Sequence, residues 1–99
     1  MASLLFVTRI DSDLERIRLH LRAHEAADVE LRLDEIIDAL QLLTQHPLIG
    51  RRVGKHKREL VIGRGSRGYV ALYAYDRLKD VVAIVALRAQ REAGFVDGW

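Results

Sequence analysis

Apolar and polar positions follow two different rhythms along this chain, and the change from one to the other divides it. The opening stretch Ser3-Leu4-Leu5-Phe6-Val7-Thr8-Arg9 is rich in strand formers and predicts a short strand. Leu14, Ile17 and Leu21 then recur at helical spacing and lay one apolar stripe on a helix over about residues 12–26. Asp11, Ser12 or Asp13 is the expected cap, and Glu15 suits the first turn. A stronger stripe follows in Val29, Leu33, Ile36, Ile37, Leu40 and Leu43. His46-Pro47 stops it, because the residue before proline is pushed out of the α region. One unbroken helix over this whole stretch would be ~50 Å long at ~1.5 Å per residue. A domain of this size has a radius of gyration of only ~13 Å, so the helix must break. Ala26-Ala27-Asp28 is the expected joint, with Asp28 capping the second member of an antiparallel helical hairpin.

After Pro47-Leu48-Ile49-Gly50 the chain turns basic and reads as a loop, and beyond it the period shortens to two. Three strands are expected, Glu59 to Arg64, Tyr69 to Tyr75 and Val81 to Arg88, joined by links short enough for antiparallel hairpins. In the middle strand Tyr69, Ala71, Tyr73 and Tyr75 share one face, and Val70, Leu72 and Ala74 the other. The third strand is apolar at every position from Val81 to Leu87, as expected where both faces are covered. A polar tail follows, ending in Trp99. Strand, helical hairpin and three-stranded antiparallel meander together predict a two-layer α+β fold.

Length and composition narrow the class. The 99 residues suit one domain spanning 1–99, and 49% apolar content supplies a normal core. The absence of cysteine excludes disulfides, thiolate metal sites and thiol nucleophiles. No apolar run approaches the roughly 20 residues needed to cross a bilayer, and the first residues lack a basic signal region, so a cytoplasmic location is expected.

Charge changes the picture more. The net +2 of the chain hides an acidic half and a basic segment. Residues 11–40 carry nine acids and four arginines, whereas residues 51–68 carry seven Lys/Arg and one acid. Such a segment tends to meet phosphate or an acidic protein surface.

Certain motifs are similar to a known family. Asp13-Leu14-Glu15-Arg16-Ile17, Pro47-Leu48-Ile49-Gly50-Arg51, Arg58-Glu59-Leu60-Val61-Ile62, Gly68-Tyr69-Val70-Ala71-Leu72-Tyr73 and Arg91-Glu92 together resemble the RelE/ParE toxin superfamily, specifically its ParE or plasmid-stabilisation branch. The resemblance covers about residues 8–95 and has the same element order. It implies a growth-arresting toxin neutralised by a cognate DNA-binding antitoxin of the ParD or RelB kind. Members resembling ParE are reported to poison DNA gyrase, and members resembling RelE cut messenger RNA in the ribosome.

RNA cleavage through the 2′-hydroxyl requires a base, an acid and positive charge on the phosphate. Arg64 and Arg91 occupy places similar to the phosphate-stabilising arginines of RelE-like enzymes. The tyrosine those enzymes carry shortly after the second arginine is missing, since Asp97 stands there. Ala89 stands where other cutting members carry a histidine, and it moves no proton. These departures remove acid–base groups and keep charge, which favours gyrase inhibition over a ribosome-dependent nuclease; a non-toxic binding module is the third reading. The expected target surface is Arg51, Arg52, Lys55, Lys57, Arg58, Arg64, Arg67 and Arg88. His20 and His24 lie one helical turn apart but lack a third ligand, so no metal and no cofactor are expected. His46 reads as a helix cap or end, and His56, within the basic segment, as a binding or bystander group rather than a general base. Leu31 and Leu42 fall off the main stripe and are the candidate antitoxin contacts.

Overall fold

Both rhythms end in one sheet with a helix pair on it. A computed structural model of the protein describes residues 1–23, 28–63 and 68–90. The described elements are β1 (Ser3–Phe6), α1 (Arg9–Ala23), α2 (Val29–Gln41), a 3-10 turn (Leu42–Thr44), β2 (Arg51–Val53), β3 (Lys57–Ile62), β4 (Tyr69–Asp76) and β5 (Val81–Ala89). The sheet order is β1-β5-β4-β3-β2, with β1 parallel to β5 and every other pair antiparallel.

The expected meander is present as β3, β4 and β5, with small shifts at its ends. It gains a short strand, β2, at one edge, from a stretch that reads as loop in the sequence. Three residues, two of them arginine, are too few to show a period-two pattern, and β2 exists through its pairing with β3. The helix starts also differ from expectation. α1 begins at Arg9, because the N–H groups of Ile10 and Asp11 reach back to the carbonyls of Val7 and Thr8 at 2.9 and 3.3 Å. The turn out of β1 therefore supplies the first helical bonds, and Asp11, Ser12 and Asp13 all lie inside the helix. Asp28 does stand at the start of α2, but in the left-handed region (φ 55°) and without a side-chain cap. Its carbonyl accepts the N–H of Arg32 at 3.1 Å.

The core lies between the helix pair and one face of the sheet. Ile10, Ile17 and Leu21 of α1 and Leu33, Ile36 and Leu40 of α2 meet Ile62, Tyr69, Ala71, Tyr73, Val82, Ile84 and Leu87. Each fully buried aliphatic side chain of this kind stabilises by about 1.5–3 kcal/mol. One irregularity makes the sheet face continuous. Leu72 pairs with Ala86 and Tyr73 with Ile84, which leaves Val85 as an extra residue in β5. Strict alternation would send Leu87 to the face opposite Ile84; the bulge returns it to the helices. Ala71 thereby faces Leu87, and Tyr73 faces Ile84, on the core side.

Candidate functional site

Strand direction decides which of the cations come together. β3 leaves the β2–β3 turn at Lys57 and ends at Ile62, roughly 17 Å away at ~3.4 Å per residue. Arg52, Lys55, His56 and Lys57 thus sit at the lower end of the sheet, beside the β4–β5 turn. Gly63, Gly68 and the end of β5 mark the upper end, where Arg88 pairs with Val70. Of the described cations of the expected footprint, Arg88 therefore stands at the other end of the sheet from Arg52, Lys55 and Lys57. Arg64, Arg67 and Arg91 lie outside the described residues.

The lower end is richer in charge than the sequence segment alone implies. Arg77 and Lys79 of the β4–β5 turn join Lys55, His56 and Lys57 around an open groove of about 450 Å³. The sequence reading missed these two, and the available signal was their place in the hairpin link that returns β4 to β5. That turn is built by Asp76, whose Oδ1 accepts the N–H groups of Leu78 and Lys79 at 3.0 and 3.1 Å. The Tyr75 hydroxyl donates to Asp80 at 2.7 Å, and this bond to a carboxylate, ahead of desolvation, raises the phenol above its ordinary pKa.

Two of the expected surface cations also make intramolecular contacts. Arg51 donates to Oε1 of the buried Glu59 at 2.6 Å. Arg58 donates to the carbonyls of Leu48 and Gly50 at 3.1 and 2.8 Å, tying down the loop that leads into β2. Gly50 in turn donates its N–H to the Tyr73 hydroxyl at 2.8 Å. A Cβ on Gly50 would stand 2.6 Å from that hydroxyl and 2.7 Å from the Glu59 carbonyl, so the close approach admits only glycine. Burial raises the Tyr73 phenol above its usual 10.0, against the opposing pull of the Gly50 N–H and the Arg58 charge.

Arg88 faces away from the helices and, with Arg51, Glu59, Val61 and Val70, lines a second recess of about 440 Å³. Leu31 and Leu42 are 56% and 53% exposed, off the buried stripe as expected. His20 lies on the exposed side of α1, and His24 is outside the described residues. Among the described residues no group of three His, Cys, Asp or Glu is placed to hold a metal. No helix among them is long and apolar enough to cross a membrane.

The sequence reading also missed Asp13, which is buried at 2% exposure. Its carboxylate meets Arg9 at 3.3 Å and Arg16 at 2.7 Å and accepts the Leu87 N–H at 2.9 Å. The Arg9, Asp13, Arg16 spacing of four and three was the signal, obscured by reading Asp13 as a cap.

The family model described as "ParE toxin of type II toxin-antitoxin system, parDE" matches residues 4–94, from β1 past the end of β5. The chain belongs to the ParE toxin family. It is also 35% identical over 94 residues to Toxin RelE3 of Caulobacter vibrioides, covering 93% of this chain and 98% of that protein. Among solved structures it is similar to the chromosomal ParDE TA system from P. aeruginosa, with a TM-score of 0.73 over 90% of this chain and 96% of that one. At 17% identity that likeness speaks for the fold. This ParE-family chain is thus a type II toxin–antitoxin toxin by family.

Proposed function

We propose that this ParE-family toxin arrests growth by binding DNA gyrase, and that a co-produced antitoxin neutralises it in the bacterial cytoplasm. The observation that carries the reading is the form of the lower cationic surface. Lys55, Lys57, Arg77 and Lys79 stand on two turns around an open groove. The one histidine there, His56, has no hydrogen-bonded carboxylate among the described residues to orient it. Charge spread over turns suits recognition of a macromolecular surface, whereas general acid–base catalysis needs convergent, oriented groups. Ala89 at the end of β5 adds no proton-transfer group.

A second reading, ribosome-dependent cutting of messenger RNA, is favoured by the name of the Caulobacter relative. In that reading Arg64 and Arg91 hold the phosphate. Purified toxin in a gyrase supercoiling assay, set beside mapping of RNA ends after induction, separates the two. Inhibited supercoiling without new RNA ends is the expected result. Codon-dependent cuts that vanish in Arg64→Ala would overturn the gyrase reading.

A further inference from the structure

The lower groove has an apolar floor that none of the charge arguments uses. Leu5 on β1 pairs with Ala83 on β5, and Ala83 pairs with Ala74 on β4, so the three stand side by side on the face away from the helices. Two alanines between larger neighbours leave a trough. Leu5, 55% exposed, walls it on one side, and Lys57, paired with Val53, stands toward the other. Lys55, Arg77 and Lys79 complete the rim. The acid lining the same groove is Asp76, whose Oδ1 is already engaged by the backbone of its own turn. The groove therefore presents cations above and aliphatic surface below.

We propose that this groove binds an extended acidic protein segment in which carboxylates alternate with apolar side chains. An extended chain points successive side chains to opposite sides. It sets its apolar groups on Leu5, Ala83 and Ala74 while its carboxylates reach the rim cations. A nucleic-acid strand answers the charge but not the floor, because sequence-tolerant strand binding uses open aromatic faces for base stacking. The aromatic residue of this lining, Tyr75, is held through its hydroxyl by Asp80. The inference deepens the binding reading above by giving the chemistry of the bound segment, and it concerns the end of the sheet opposite Arg88.

The test uses the full chain and a short fluorescein-labelled peptide of alternating glutamate and leucine, read by anisotropy, with labelled oligothymidylate as the competitor. The peptide is expected to bind. Its affinity falls roughly tenfold in the double variant Lys55→Glu/Arg77→Glu and roughly threefold or more in the uncharged variant Leu5→Asn. All three proteins should give the same circular dichroism, since the substituted side chains lie on exposed turns and an edge strand. No peptide binding, or equal affinity in all three proteins, overturns the proposal. Tighter binding of the oligonucleotide than of the peptide also overturns it and gives the groove to nucleic acid. Peptide affinity is measured without gyrase, so its failure is distinct from failure of the supercoiling assay.

Discussion

Asp13 of α1 accepts the backbone N–H of Leu87 in β5 at 2.9 Å, just beyond the bulge at Val85. Arg16, held by the same carboxylate, donates to the Leu87 carbonyl at 2.8 Å. One ion pair on the helix thus satisfies both backbone groups of a single strand residue, at the point where the bulge interrupts the ladder. This ties α1 to β5 in one register. Asp13→Ala is expected to destabilise the fold by about 2–3 kcal/mol, mainly because the Leu87 N–H loses its acceptor. The charge part is discounted, since the side chains of Arg9 and Arg16 are 35% and 38% exposed. Asp13→Asn keeps an acceptor and should cost about 1 kcal/mol. Urea unfolding midpoints check both, and equal stability of Asp13→Ala and the parent would refute the role.

Gly50 gives a second test, independent of charge. Gly50→Ala is expected to cost about 2–3 kcal/mol through overpacking. Adding Tyr73→Phe should not restore stability, because the Glu59 carbonyl lies 2.7 Å from the new Cβ whatever stands at position 73. Thermal melts of the single and double variants read this directly.

The Tyr73 phenol has a pH consequence. Its folded pKa is raised above 10.0, so the unfolded chain releases this proton first as pH rises. Its contribution to stability is complete below pH 10.0 and is lost as pH climbs from there through the folded pKa. Alkaline titration followed by tyrosinate absorbance should show two tyrosines, Tyr73 and Tyr75, ionising late, and Tyr73→Phe should remove one of the two.

Leu31 and Leu42 are exposed on and just after α2, away from the lower groove. If the antitoxin covers this surface with an amphipathic segment, Leu31→Asp or Leu42→Asp should weaken the complex roughly tenfold or more. Circular dichroism of the variants should be unchanged. Calorimetry with the cognate antitoxin measures the change, and unaltered affinity in both variants excludes this surface.

Toxicity supplies the last test. His56→Ala should leave growth arrest nearly intact, because a single exposed imidazole carries little of the energy of a binding surface. Neutralising Lys55, Lys57 and Arg77 together should weaken arrest in a graded, salt-sensitive way. Arg64→Ala or Arg91→Ala alone should matter little for gyrase binding, yet either would cost about a hundredfold or more in a nuclease. Growth curves with confirmed expression of each variant distinguish these outcomes.

The helices, the three longer strands and the α+β layering were legible because long periodic stripes are strong signals. Leu33, Ile36 and Leu40 announce a buried helix face, and Tyr69, Ala71 and Tyr73 a buried strand face. Features set by tertiary pairing were not legible. β2 is recognisable only beside β3, and the bulge at Val85 is hidden within a uniformly apolar run. The cationic site was half legible. The sequence shows the charge of residues 51–68, but strand pairing sets Arg88 apart in a separate recess, and Arg77 and Lys79 enter from a distant hairpin. Nothing in the sequence shows that Arg51 also pairs with Glu59 or that Arg58 also holds the Leu48 and Gly50 carbonyls.

The parallel pairing of β1 with β5 has a consequence for the order of events during synthesis. Ser3 pairs with Val81, 78 positions later in the chain, so the first strand made waits for the last one. At about 5–20 residues per second, that interval lasts roughly 4–16 s. Throughout it Leu4 lacks its neighbour Val82, and the trough of Leu5, Ala83 and Ala74 does not yet exist. A nascent toxin of this design is born unfinished and gains its lower groove only when β5 arrives. An antitoxin already present at that moment meets the toxin as the groove forms.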